Sequence, residues 1–290
     1  MFVAMIAKII YRQLLEQLQN LYNTHEATII TDTVFKKIAG IKKVDFIIDA
    51  TLELPANAER NLQAALDALL QNKPLQYVLG EAWFGHINLL VNEHVLIPRP
   101  ETEELVQWLL AAQPGAEKKQ LAILDIGTGS GCIAIYLQQK LPAAAITAID
   151  ISNAALELAK KNALAYQLAI NFKQLNFLDE LNWPQLPQYD IIISNPPYIP
   201  YKEKDEMDAN VLLFEPHQAL FVANDTPLLF YEKMASFATT HLSVNGTIYV
   251  EIHENLAEQT AKVFDAVFKT VVVKKDIFGK DRMISATHFR

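Results

Sequence analysis

The chain has 290 residues, 51% apolar and 20% charged, with a formal net charge of −8. That balance excludes a disordered chain, and a single cysteine, Cys132, excludes a secreted disulfide scaffold. No stretch approaches the ~20 consecutive apolar residues of a membrane span.

In chain order, residues 1–80 read as helices with short breaks. Ile6, Ile10, Leu14, Leu18 and Leu21 recur at helical spacing, and so do Leu62, Leu66, Leu69 and Leu70. Breaks are expected near Asn23, Gly40 and Pro55, with Pro74 closing the last helix. No small-residue cleavage site follows the apolar start, so an amphipathic helix is expected rather than a signal peptide, and with it a cytoplasmic location. Met5 is a second available start. This segment balances to zero charge, while residues 81–290 carry the whole acidic excess. A protein that grips a phosphate backbone shows a basic excess, so direct nucleic-acid binding is not expected.

Residues 80–99 read as a linker with a hairpin turning at Gly85-His86. From about residue 100 strands alternate with helices. Strands are expected at 121–126, 145–150, 170–176, 189–194, 247–252, 267–273 and 283–288. Helices are expected at 131–141, 152–166 with Ser152 as N-cap, and 227–241. The near-continuous apolar run at 189–194 suits a strand buried on both faces. The alternation predicts an α/β fold, a doubly wound sheet of Rossmann-like type, with a small all-α N-terminal domain. The expected domains are 1–79, the 80–99 linker and 100–290.

Three of only nine glycines fall within five residues: Gly127, Thr128, Gly129, Ser130 and Gly131. They follow a buried strand and open a helix. There the backbone turns tightly, approaches a ligand and faces it with helix-N-terminal amides. Asp150 ends the next strand, where a carboxylate accepts both hydroxyls of a ribose. The spacing is G-x-G-x-G behind Asp125, which resembles the S-adenosylmethionine loop of class I methyltransferases. Cys132, just inside the helix, reads as a small apolar filler rather than a nucleophile.

The strand 189–194 ends in Asn195, Pro196, Pro197 and Tyr198. In open α/β sheets the ligand crevice lies at this edge. Asn195 offers a side-chain carbonyl, and the two prolines carry no N–H to quench main-chain carbonyls nearby. Two such acceptors take both hydrogens of a planar –NH₂ group, and Tyr198 supplies a flat face. An amide nitrogen is a poor nucleophile, so catalysis here would rest on orientation rather than on a strong base. Adenine N6, guanine N2 and a glutamine amide all satisfy this motif. The seven histidines lack metal spacing, and no catalytic metal is expected.

Taken together the residues resemble the HemK/PrmC-type protein-(glutamine-N5) methyltransferases. The resemblance rests on Pro74 through Gly80, Leu96-Ile97-Pro98-Arg99-Pro100-Glu101-Thr102-Glu103, Leu124 through Gly131 and Ser194 through Tyr198. It continues in Glu215-Pro216 with Ala219-Leu220-Phe221, and in Asp276 through Arg282. The Arg-Pro-Glu-Thr-Glu segment is the specific part, although proline and acids also start any helix well. The resemblance implies methyl transfer from S-adenosylmethionine, leaving S-adenosylhomocysteine, to the glutamine of a Gly-Gly-Gln loop in peptide chain release factors, modulating translation termination. It implies a helical domain that binds the release factor. It implies cofactor binding by Gly127, Thr128, Gly129, Ser130, Gly131, Asp150, Phe177 and Asn195, and a catalytic set of Asn195, Pro196, Pro197 and Tyr198. A monomer is expected. Asn176 and Phe177 depart from the family's Asp-Trp, and His253 stands where glycine is common. The sequence offers no account of that histidine. The acidic stretch Glu203, Asp205, Glu206, Asp208 and Glu215, against Lys202 and Lys204, disfavours a nucleic-acid substrate.

Overall fold

A computed structural model describes residues 6–113, 115, 117 and 119–290. Residues 1–5, with the expected start of the first helix and Met5, lie outside them. The chain divides into two compact units. One holds the residues up to Gly80 together with Asp208–Phe214, and the other holds Glu81–Met207 with Glu215–Arg290.

The first unit contains α1 (Ala7–Leu18), α2 (Thr24–Ala39), α3 (Asp45–Ile48), α4 (Ala58–Leu70) and α5 (Leu75–Leu79). α1 buries Ala7, Ile10, Tyr11, Leu14 and Leu18, and α4 buries Leu62, Ala65, Leu66 and Leu69. Each stripe follows the 3.6-residue period, and each fully buried leucine contributes about 2 kcal/mol. Leu21 falls beyond the end of α1 and is exposed. Asn23 caps α2 by accepting the Glu26 N–H at 3.0 Å. Pro74, expected to close the last helix, instead stands at the N-cap of α5, because a missing N–H costs nothing at a helix start.

In the second unit β1 (Glu81–Phe84) and β2 (Ile87–Leu90) form the expected hairpin. It is more than a linker: Phe84, Ile87 and Leu89 sit in the unit's core, and Asn162 bonds both main-chain groups of Leu90. There follow α6 (Pro100–Ala111), β3 (Ala122–Ile126), α7 (Cys132–Lys140), β4 (Ala145–Asp150), α8 (Asn153–Ala165), β5 (Asn171–Gln174) and β6 (Tyr189–Ser194). Then come β7 (Ile199–Pro200), α9 (Ala209–Phe214, grouped with the first unit), α10 (His217–Leu220) and β8 (Phe221–Val222). The chain ends with α11 (Leu229–His241), β9 (Leu242–Glu251), α12 (Ala257–Asp265), β10 (Phe268–Lys275) and β11 (Asp281–Phe289). Ser152 caps α8 as expected, accepting from Ala155 N–H at 3.2 Å.

Seven strands form one sheet in the order β10-β11-β9-β6-β3-β4-β5. The pairs among β9, β6, β3, β4 and β5 are parallel, and β11 runs against both of its neighbours. This is the doubly wound α/β sheet that the alternation predicts. Along β6, Ile191 and Ile193 enter one core and Ile192 the other, so both faces are covered and the run is apolar throughout. α12 escapes the sequence pattern because its buried stripe is thin: Ala257, Thr260 and Phe264. Among the described residues no helix is long and apolar enough to cross a membrane.

Candidate active site

Four parallel strands end at one edge of the sheet. β3 delivers the glycine loop there, β4 Asp150, β6 Asn195 and β9 Glu251. β4 lies on one side of β3 and β6 on the other, so the chain departs in opposite directions and leaves a crevice between. A cleft of about 510 Å³ opens at this point. It is lined by Gly127, Thr128, Gly129, Ser130, Asp150, Asn176, Phe177, Asn195 and Pro197, with Arg99, Thr102, Tyr201 and Phe221 among the other walls. Thus most of the residues singled out from the sequence meet in one cavity. Gly131, Pro196 and Tyr198 are not among its lining residues.

The glycine loop behaves differently from the expectation. Gly127, Gly129 and Gly131 have φ of 73°, 54° and 83°, which is why glycine stands at each. A Cβ on Gly131 would come within 3.2 Å of Ala159 Cβ, so the third glycine lets α7 approach α8. The loop's amides, however, are largely spent inside the protein. Gly127 and Thr128 N–H donate to Ile149 O at 2.9 and 3.0 Å, Gly131 N–H to Thr128 O at 2.8 Å, and Gly129 N–H to Asp150 at 2.9 Å. The Thr128 hydroxyl donates to buried Asp125 at 2.7 Å. Burial pushes Asp125 up to about 7, against the downward pull of that hydroxyl. Four of the loop's five amides are spent in this way, and a pyrophosphate would need them free. A nucleoside carrying a positive sulfonium does not.

Asp150 accepts the Gly129 N–H on Oδ2 and the Ser152 N–H on Oδ1, both at 2.9 Å. With three backbone donors the carboxylate still keeps lone-pair capacity for an outside donor. Burial raises Asp150, and the backbone donors oppose it. Phe177 lines the cleft, but its ring also contacts Trp183 and Phe237, with centroids 5.8 and 5.3 Å away. Asn176 Oδ1 accepts the Leu178 N–H at 3.1 Å, so part of its capacity is spent on its own turn. Cys132 is buried and its thiol is pushed up to about 12, first by burial and then by Asp125, which fits a filler and not a nucleophile.

Around Asn195 lies a chain of hydrogen bonds that sequence reasoning missed. Asn195 Nδ2 donates to Thr102 Oγ1 at 2.9 Å, and Thr102 donates to Glu251 Oε2 at 2.6 Å. Tyr198 donates to Glu251 Oε1 at 3.0 Å. The Tyr198 hydroxyl is therefore turned into the protein. Burial and the adjacent Glu251 hold it well above the usual phenol range, so it stays neutral. Burial likewise pushes Glu251 up to about 7, opposed by Thr102, Tyr198 and Arg282.

The signature at 96–103, with Glu104 after it, proves to be a bracket. Arg99 pairs with buried Glu215 at 2.6 Å, and Glu215 also accepts the Ile97 N–H at 3.3 Å. Glu103 accepts the Gly85 N–H at 2.9 Å, and Glu104 the Ile277 N–H at 3.3 Å. Pro100 starts α6, so both readings of the segment are realised in one element. Thr102 and Glu215 were visible as motif letters, but nothing local revealed their partners. His253, unexplained by sequence, bonds Glu203 at 2.8 Å, accepts the Asn255 N–H and packs edge-on against Tyr198. It ties the segment after the proline pair to the end of β9. Among the described residues no group of three or more His, Cys, Asp or Glu is placed to hold a metal.

Comparison with known proteins adds an independent line. Residues 10–80 match the PrmC N-terminal domain, and residues 102–223 match the methyltransferase small domain. A release factor glutamine methyltransferase of Flavobacterium psychrophilum is 42% identical, covering 97% of this chain and 98% of its own. One from Lactococcus lactis is 45% identical over 82% of this chain and 84% of its own. A 16S rRNA N2 methyltransferase from T. thermophilus, solved with AdoMet and guanosine, superposes with a TM-score of 0.50 at 15% identity. It covers 72% of this chain and 49% of its own, a likeness of fold alone.

Proposed function

Because the chain belongs to the release factor glutamine methyltransferase family, we propose that it methylates the side-chain N5 of the glutamine in a Gly-Gly-Gln loop of a release factor. S-adenosylmethionine supplies an electrophilic methyl group at the edge of the sheet. The observation that carries the reading is one cavity lined by Asp150 as well as by Asn195 and Pro197. The spent amides of the glycine loop fit a cofactor without phosphate.

Asp150 binds the ribose, and residues 127–130 pass close along the amino-acid portion. Asn195 Oδ1 and a main-chain carbonyl of the proline pair accept both hydrogens of the glutamine –NH₂. Fixed in that way, the delocalised nitrogen pair is aimed rather than made more basic, and orientation supplies most of the rate. The proton leaves to solvent after transfer. The helical unit, with Val44, Ile47 and Ile48 exposed on and beside α3, binds the body of the release factor. The enzyme works in the cytoplasm.

The test is transfer of a labelled methyl group to a purified release factor and to its Gln→Ala form. Labelling of the first alone is expected, and equal labelling of both would end the proposal. In the enzyme, Asn195→Ala should lower turnover at least about a hundredfold while S-adenosylhomocysteine affinity stays within a few fold, read by calorimetry.

A further inference from the structure

Glu251 is not among the residues lining the cleft, yet it sits at the end of the hydrogen-bond chain that reaches Asn195. We propose that Glu251 is a positioning residue: acting through Thr102, it decides which end of the Asn195 carboxamide faces the substrate. The inference rests on the role given above to Asn195.

The argument is one of hydrogen-bond direction. An ionised carboxylate accepts and never donates. Glu251, 1% exposed at the end of β9, is within 2.6 Å of the Thr102 hydroxyl and 3.0 Å of the Tyr198 hydroxyl, one on each oxygen. Each hydroxyl has a single hydrogen, and both are committed to Glu251. Toward Asn195, 2.9 Å away, Thr102 can then only accept. Asn195 must present Nδ2 to Thr102, and its Oδ1 is turned the other way. The carboxamide's oxygen and nitrogen are nearly the same size, so packing alone does not choose between the two orientations. The carboxylate does. An oxygen facing the cleft accepts an amide N–H, whereas an –NH₂ facing it would meet another donor.

Protonation of Glu251 would undo this. An acid proton on Oε2 would be donated to Thr102, whose own hydrogen would then turn to Asn195 and favour the flipped carboxamide. The groups facing Glu251 come from five elements: Thr102 and Glu101 from α6, Cys132 from α7, Tyr198 from the loop after β6, Tyr231 from α11 and Arg282 from β11. Burial and Glu101 favour the acid form, while the two hydroxyls and Arg282 favour the ion. The ion is the form that orients Asn195, so turnover should fall on the acid side of neutrality.

The variant Glu251→Gln keeps the shape but offers one acceptor to two hydroxyl donors, so one of the two bonds must reverse. With a release factor as substrate, the acid limb of the kcat–pH profile should disappear in Glu251→Gln whichever bond reverses, and kcat should fall at least about tenfold in Glu251→Leu, which leaves the Thr102 hydroxyl to donate to Asn195. The KM for S-adenosylmethionine and the melting temperature should hold in Glu251→Gln. Thr102→Val should lose kcat likewise, and Thr102→Ser should recover most of it, because serine keeps the hydroxyl. An unchanged acid limb in Glu251→Gln, or wild-type kcat in Glu251→Leu, would overturn the proposal. So would a loss confined to melting temperature and cofactor KM, or equal defects in Thr102→Val and Thr102→Ser. If Asn195→Ala itself keeps full turnover, the reading of Asn195 has failed first, and that experiment separates the two.

Discussion

The two units treat buried polar groups in opposite ways. Among the described residues of the helical unit, the one buried polar residue is Thr31, whose hydroxyl folds back on Ala27 O at 2.7 Å. The sheet unit buries Asp125, Glu215, Glu251, Asp276, Thr102, Asn162 and His253, among others. Burying a carboxylate costs free energy unless donors surround it, and the burden differs from one carboxylate to the next. Asp276 receives backbone N–H groups from Phe278 and Lys280 and the charge of Arg282, which outweigh burial and hold it below the usual range. Asp125 and Glu251 are more deeply desolvated, and burial outweighs their donors and pushes both up to about 7.

The largest effect on stability should come from the apolar unit. Leu66→Ala, at a fully buried position, should cost about 3 kcal/mol, seen as a shift in denaturant midpoint. A loss below about 1 kcal/mol would mean the helical core is looser than its packing suggests.

The next effect is a dependence on pH that only the sheet unit should show. Asp125 binds its proton more tightly folded than unfolded, where carboxylates titrate near 4. Between about pH 4 and 7 the native state therefore holds more protons, and stability falls as pH rises through that window. Asp125→Asn should flatten that fall, removing up to about 3 kcal/mol of pH dependence in urea titrations at pH 5 and pH 8. An unchanged slope would show that Asp125 is ionised throughout.

Smaller again is His253→Gly, which adopts the residue common in the family. Losing the Glu203 bond and the ring contact with Tyr198 should cost about 1–2 kcal/mol and raise the release factor KM more than that of the cofactor. The exposed pair Lys262–Glu258 marks the lower end of the scale: Lys262→Ala should leave the melting temperature where it was.

Local signals in the amino-acid order determined a good deal. Alternating strands and helices specified the doubly wound sheet, the 189–194 run named its central strand, and the glycine loop, Asp150 and Asn195 converged as their positions at strand ends require. These features are encoded within a few residues of chain, at periods that backbone geometry imposes. What only the tertiary structure decided is how those residues are held. Thr102 and Glu251 are 149 residues apart, Arg99 and Glu215 are 116 apart, and Asn195 and Thr102 are 93 apart. No periodicity links such partners, because strand order and helix packing bring them together. The same holds for the loop amides: the sequence shows that they exist, but only the placement of Ile149 and Asp150 shows that most are already taken.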